Sequence, residues 1–258
     1  MEGCDEMRHQ QTLRVFGTVL VLVLMAGCTR QWSAQCTDAE CIEGGLSEFD
    51  DSAGAFYPSL DVEGWPCTDT DGFCRGTLLG FEVYLSLTIL PGEEDLAEAV
   101  ISQLYDDLTV VTDLLEPEVL EVLREVPIWI DAEENPESAG FYNNVGRWIG
   151  VPSAELYLRH VETSPAFVLH ELAHAWHDLA LGFDDEDILA AYQNAMDLDL
   201  YAASPLGSPH YATTNELEYF AVLTEAWFWL DYDFPSNRAE LLSHDPLGAE
   251  VVERAWRW

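Results

Sequence analysis

Lysine is absent from all 258 residues. Ten arginines stand against 48 aspartates and glutamates, and the formal net charge is −38. A surface of that sign repels phosphate backbones and anionic headgroups, which excludes nucleic-acid binding. It suits solubility in salty or crowded surroundings. The acids are spread along the chain rather than gathered in a block, so they form no binding tail. Long apolar runs are missing too: the run over residues 15–26 is too short to span a bilayer comfortably. There is no internal repeat. Cysteine does not occur after residue 74. What remains is a chain that is 48% hydrophobic, enough for one sizeable core or for one domain plus an appendage.

The front of the chain reads as processing signal rather than fold. Arg8, His9 and Arg14 precede the apolar run, the shape of a secretory signal over residues 1–27. A short N-terminal membrane anchor is the alternative. Met25-Ala26-Gly27-Cys28 resembles a bacterial lipoprotein box, with Met25 where leucine is commoner. The resemblance implies cleavage before Cys28, with lipid on its thiol and on the new amino terminus. Thr29 in place of aspartate leans toward the outer membrane. The expected location is therefore the bacterial cell envelope, exported and lipid-anchored. Cys4 leaves with the signal. Cys36, Cys41, Cys67 and Cys74 read as two disulfides, for which Cys36–Cys41 with Cys67–Cys74 is the most local of three connectivities. A structural zinc on the four cysteines is the rival. Asp69-Thr70-Asp71-Gly72 lacks the remaining ligands of a calcium loop and reads as a turn.

Residues 28–76, polar and rich in Gly and Asp, read as an acidic tether with disulfide-pinned loops. The main domain then runs over 77–258. Phe81, Val83, Leu85, Leu87 and Ile89 alternate with polar positions, which predicts a strand. Residues 93–115 predict an amphipathic helix with Leu96, Val100, Leu104, Leu108 and Val111 on one side. A shorter helix over 117–126 opens on proline at a tolerated position. Residues 127–130 read as a short buried strand, and 146–151 and 155–160 as further strands. Asn135-Pro136 and Asn143-Asn144 mark turns. Asp184 to Asp187 reads as a helix start, since acids favour a helix N-terminus; a substrate contact is the other reading. The order of elements predicts an α+β or mixed α/β fold.

His170-Glu171-Leu172-Ala173-His174 is an H-E-x-x-H motif in a helical, apolar setting, with Gly182 placed to end the helix. Residues four apart share a helix face one turn apart, so two imidazoles reach one ion at about 2.0–2.1 Å. Glu171 beside them takes a proton from water without being a ligand. His177 is seven residues from His170, about 10.5 Å along the axis, so one straight helix cannot bring all three histidines onto one ion. His177 then touches a ligand, lines the cleft, or is simply solvated. It also stands where H-E-x-x-H-x-x-G-x-x-H proteases need glycine. The third ligand must come from elsewhere. Asn215 can cap a helix with Leu217, Phe220, Ala221, Thr224 and Phe228 as its core stripe. Glu218, Val222 and Glu225 lie on another stripe. Glu218 is the candidate ligand; the alternative is two solvent-facing acids in an acidic protein.

HELAHAWH, then LGF, then YATTNELEYFAVLTEAWF, then RAELLSHDP resemble a group of bacterial and fungal zinc metallopeptidases whose catalytic domain is similar to that of anthrax lethal factor. VPIWID and NPESAG fit upstream, and the resemblance runs from about Gly80 to Trp256. It implies a zincin-like domain, with a mixed sheet packed on the H-E-x-x-H helix, that hydrolyses peptide bonds. His170, His174 and Glu218 match its zinc ligands and Glu171 its catalytic glutamate. Tyr211 matches a tyrosine that faces the reacting oxygen and stabilises the developing oxyanion. One departure is Val222, where the group usually has glutamate. Glu225 is retained and can accept a hydrogen bond from a liganding histidine. His210 is a further polar candidate without a role. The expected partners are a peptide or protein substrate and the membrane through Cys28, with the chain a monomer. The rival is a surface lipoprotein that keeps a zincin fold for binding alone.

Overall fold

Phe81, Val83 and Leu85 are buried while Glu82 and Tyr84 lie on the other side. That period of two, predicted from the sequence, builds the strand around which a mixed sheet assembles. The computed structural model describes residues 65–68, 72–89, 94–134, 136–202, 209–228, 230 and 233–257. The signal, Cys28, Cys36, Cys41 and most of the tether lie outside these residues. Among the described residues no helix is long and apolar enough to cross a membrane.

The sheet comprises β1 (Cys67–Thr68), β2 (Phe73–Leu78), β3 (Phe81–Ser86), β4 (Ile128–Ile130), β5 (Phe141–Asn143) and β6 (Trp148–Val151). Its spatial order is β1-β2-β3-β4-β6-β5. β3, β4 and β6 run parallel, while β1, β2 and β5 add antiparallel edges. The sheet therefore begins earlier than residue 77: β2 recruits Phe73 to Gly76, four residues that read as the end of the tether. Gly76 and Arg75 break that segment's apolar pattern, and only pairing with β3 makes it a strand. Cys74 is disulfide-bonded, and the register sets its backbone opposite Cys67.

The helices are α1 (Glu94–Leu114), α2 (Pro117–Leu123), α3 (Ala154–Val161), α4 (Phe167–Trp176), α5 (Glu186–Asp197), α6 (Glu216–Trp227), α7 (Arg238–His244) and α8 (Pro246–Ala255). α1 buries Ala97, Val100, Ile101, Leu104, Leu108 and Val111, a helical stripe set against the core. The expected strand over 155–160 is instead α3. The Leu-Tyr-Leu alternation there misleads, because Ser153 Oγ accepts the Leu156 amide at 3.4 Å and caps a helix. Its buried positions, Ala154, Tyr157 and Val161, follow helical spacing. Tyr157 then donates its hydroxyl to Asp107 and ties α3 to α1. The expected helix start at 184–187 forms, with Asp185 accepting the Asp187 and Ile188 amides at 3.1 and 3.0 Å.

Molecular class is thus mixed α+β with one mixed sheet. α4 packs against β5 and β6 and against α1, α2 and α6. Trp176 of α4 stacks on Trp256, with ring centroids 5.6 Å apart, and donates its indole N–H to the Ala255 carbonyl at 2.9 Å. Trp256 in turn donates to Thr224 Oγ1 on α6 at 3.0 Å. These contacts fix the two helices that carry the candidate site.

Candidate metal centre

α4 is apolar nearly all round, as a helix buried on every side must be. Only His170, Glu171 and His174 interrupt it, and all three open on one cleft of about 350 Å3. The facing helix α6 begins at Asn215, whose Oδ1 accepts the Leu217 and Glu218 amides, each at 2.9 Å. That cap sets where the helix starts, and so which way Glu218 points. Glu218 meets the two histidines at the cleft, and Glu225, two turns on, meets His170 from behind.

The distances define a donor triangle. His170 Nε2 lies 3.1 Å from His174 Nε2 and 3.0 Å from Glu218 Oε2, and the third side, from His174 Nε2 to Glu218 Oε2, is 3.3 Å. His170 Nδ1 lies 2.5 Å from Glu225 Oε1. A carboxylate only accepts, so Nδ1 carries the hydrogen, and His170 in its neutral form turns the lone pair of Nε2 into the triangle. With that nitrogen deprotonated, three electron-pair donors converge on one point, where a proton or a metal cation can bind. Four donors set tetrahedrally at 2.0–2.1 Å around an ion are spaced roughly 3.3 Å apart, close to all three sides. His170, His174 and Glu218 can therefore hold a metal ion.

A proton on His170 competes for the same position. Burial pulls the His170 pKa down, but its hydrogen bonds to Glu218 and Glu225 more than reverse this and raise it well above the usual value. Burial likewise pushes Glu218 up, yet the two imidazoles hold its carboxyl far below the ordinary range. Glu171 is raised, chiefly by burial, and its Oε2 is buried without a hydrogen-bond partner. Among the described residues it is the one carboxylate oxygen buried without a partner.

Tyr211 sits on a 3₁₀ turn, Tyr211–Thr213, just before α6. Its ring is 6.0 Å from that of His170 and 55% exposed at the cleft mouth. Burial of the phenol, then the nearby charges of Glu218 and Glu171, push its pKa up to about 12, so it stays a donor. His210 is buried behind this turn and accepts the Ala212 amide on Nδ1 at 3.2 Å, which shapes the turn. Val222, where the metallopeptidase group usually has glutamate, is buried in the core.

His177 neither touches a ligand, lines the cleft nor meets solvent. Two turns below His170 it is fully buried, packed between Phe183 and Phe220, with no hydrogen-bond partner on either nitrogen. There α4 widens into a π turn, His177–Leu181, that Gly182 ends at φ +88°. The widening delivers Asp178 to the hydroxyl of Tyr142 at 2.8 Å and to Arg147 at 3.4 Å. Sequence reasoning missed the cleft walls, Phe141 and Tyr142 on β5 and Phe183 after the π turn. Aromatics on both sides of the Asn143-Asn144 turn were the available signal for this hairpin. Neither a scan of protein-family models nor a search of curated proteins finds a match to the chain.

Proposed function

We propose that the chain is a zinc-dependent metalloendopeptidase with a zincin-like domain, exported and anchored to the cell envelope through lipid on Cys28. The observation that carries this reading is the donor triangle of His170, His174 and Glu218 with the unpartnered Glu171 carboxylate beside it. Two imidazoles and one carboxylate suit zinc. A zinc ion bound there supplies a Lewis acid that polarises a carbonyl and makes water acidic.

The protein's own groups do the rest. Glu171 accepts the proton of the attacking water on its free oxygen and passes it to the leaving amine. Tyr211, protonated at every physiological pH, donates to the carbonyl oxygen as charge develops there. Glu225 fixes the tautomer and orientation of His170. The phenol stands at the mouth of the cleft.

The test pairs metal analysis with cleavage of a diverse peptide library. One equivalent of zinc and chelator-sensitive cleavage are expected. One equivalent of metal without cleavage would favour the binding lipoprotein, and no metal at all would sink the peptidase reading.

A further inference from the structure

The outer face of the sheet carries a row of residues in direct register: Arg75 on β2, Tyr84 on β3, Trp129 on β4, Gly150 on β6 and Phe141 on β5. At one end of the row an arginine is already captured. The Arg75 guanidinium lies 5.9 Å from the centroid of the Tyr84 ring and pairs with the Glu82 carboxylate. Tyr84 then stacks on one side of Trp129, with centroids 3.9 Å apart and planes within 3°. Beyond Trp129 the row reaches Gly150, and here the pattern opens. A Cβ on Gly150 would sit within 3 Å of both the Phe141 and Trp148 rings, so only glycine lets the two rings lie down on the sheet. They meet at 5.2 Å and 64°. On the opposite bank Phe73 meets Trp129 edge to face at 4.9 Å. Between the banks runs a groove of about 410 Å3, within the range of ligand pockets, roughly 300–1,000 Å3.

The lining of the groove is aromatic, but Asp131 and Glu133, both exposed, belong to it as well. Oδ1 of Asp131 accepts the Ala132 amide at 2.8 Å and the Thr88 hydroxyl at 3.4 Å. Among the described residues that line the groove, none carries positive charge. Aromatic faces and two carboxylates thus repeat the surroundings of Arg75 without an arginine of the chain's own. Aromatic faces attract guanidinium, most strongly where water is partly excluded. A protein of net charge −38 adds long-range attraction for cations.

We infer that this groove binds an arginine side chain of an extended polypeptide. Phe141 lines both the groove and the metal cleft, so one polypeptide can lie in both. Its use as a specificity subsite rests on the peptidase reading, whereas binding itself does not.

Calorimetric titration of the full chain with a short capped peptide holding one arginine tests this. The matched peptide with citrulline, a neutral isostere, is the control. Saturable binding of the arginine peptide is expected, about tenfold tighter than citrulline and weakened by salt. The double variant Asp131→Asn, Glu133→Gln should erase that preference, and Trp129→Ala should abolish binding of both peptides. Equal affinity for the two peptides overturns the inference. So does the absence of saturation up to about 10 mM, binding untouched by either variant, or preference for a neutral N-acetylglucosamine oligomer. If the library is not cleaved but arginine binds, the catalytic reading fails and the groove stands. If cleavage occurs without arginine preference in binding, the reverse holds.

Discussion

His170 and His177 stand on nearly the same face of one helix, seven residues apart, and have opposite surroundings. Both nitrogens of His170 are engaged, one by Glu225 and the other by Glu218 and His174. Both nitrogens of His177 are buried without a partner. The helix itself does not make this difference. What α6 places opposite each residue does: two carboxylates at the level of His170, the ring of Phe220 at the level of His177. A motif supplies the residue, but the partner helix decides whether it becomes a site or a cost. A buried imidazole without partners is costly, by about 1–3 kcal/mol. The π turn that begins at His177 belongs to the same end of the helix, where geometry gives way to carry Asp178 to Tyr142.

The sharpest way to test the wired end is Glu171→Gln. It should lower kcat by about 10²–10⁴-fold and leave zinc content and melting temperature unchanged. Retained turnover on a clean preparation would remove Glu171 from the mechanism. Next comes the division of labour on α6. Glu225→Ala should weaken zinc binding by about 10–100-fold, and Glu218→Ala by more, as competition with a chelating dye would measure. Equal losses would mean that ligand and supporting carboxylate have been confused.

The orphaned end predicts the opposite sign. His177→Leu should stabilise the fold by about 1–3 kcal/mol in urea unfolding and leave zinc content alone; a destabilised variant would reveal a partner that the geometry lacks. Burial lowers the His177 pKa from 6.5 to about 4 in the folded protein. The unfolded chain therefore binds the proton first as pH falls. Stability held by the neutral ring is complete above pH 6.5 and is lost toward pH 4, by roughly 1.4 kcal/mol per pH unit. His177→Leu should flatten that part of the stability profile. The smallest effect is expected from Asn215→Ala. Losing the cap should cost about 1 kcal/mol and lower zinc affinity modestly, by loosening the turn that aims Glu218.

The candidate ligands were legible because each obeys a local rule. His170 and His174 follow helical spacing, and Glu218 stands three residues after a capping asparagine. Glu225 was legible for the same reason, two turns above Glu218. The fate of His177 was not, since it depends on Phe183 and Phe220, which only packing brings to it. Of the fold, β3, α1, α2 and α4 could be read from their apolar periods. α3 could not, because Leu156, Tyr157 and Leu158 fit two periods and only the Ser153 cap decides between them. β2 and β5 were hidden for another reason: neither has enough apolar pattern to be a strand until its neighbour pairs with it. The β5 wall of the cleft and the aromatic groove both depend on those strands, so strand pairing rather than local apolar pattern reveals them.

The indole pair behind the site has a spectroscopic consequence. Trp176 and Trp256 lie 5.6 Å apart with planes 18° from parallel, and each indole N–H is held by a buried acceptor. Two chromophores so close and so fixed share their excited states, and folded protein should show a coupled circular-dichroism band in the ultraviolet. Because one indole rides on α4 and the other is clamped to α6, that band reports whether the two helices that carry the candidate ligands are in place, without metal, substrate or turnover.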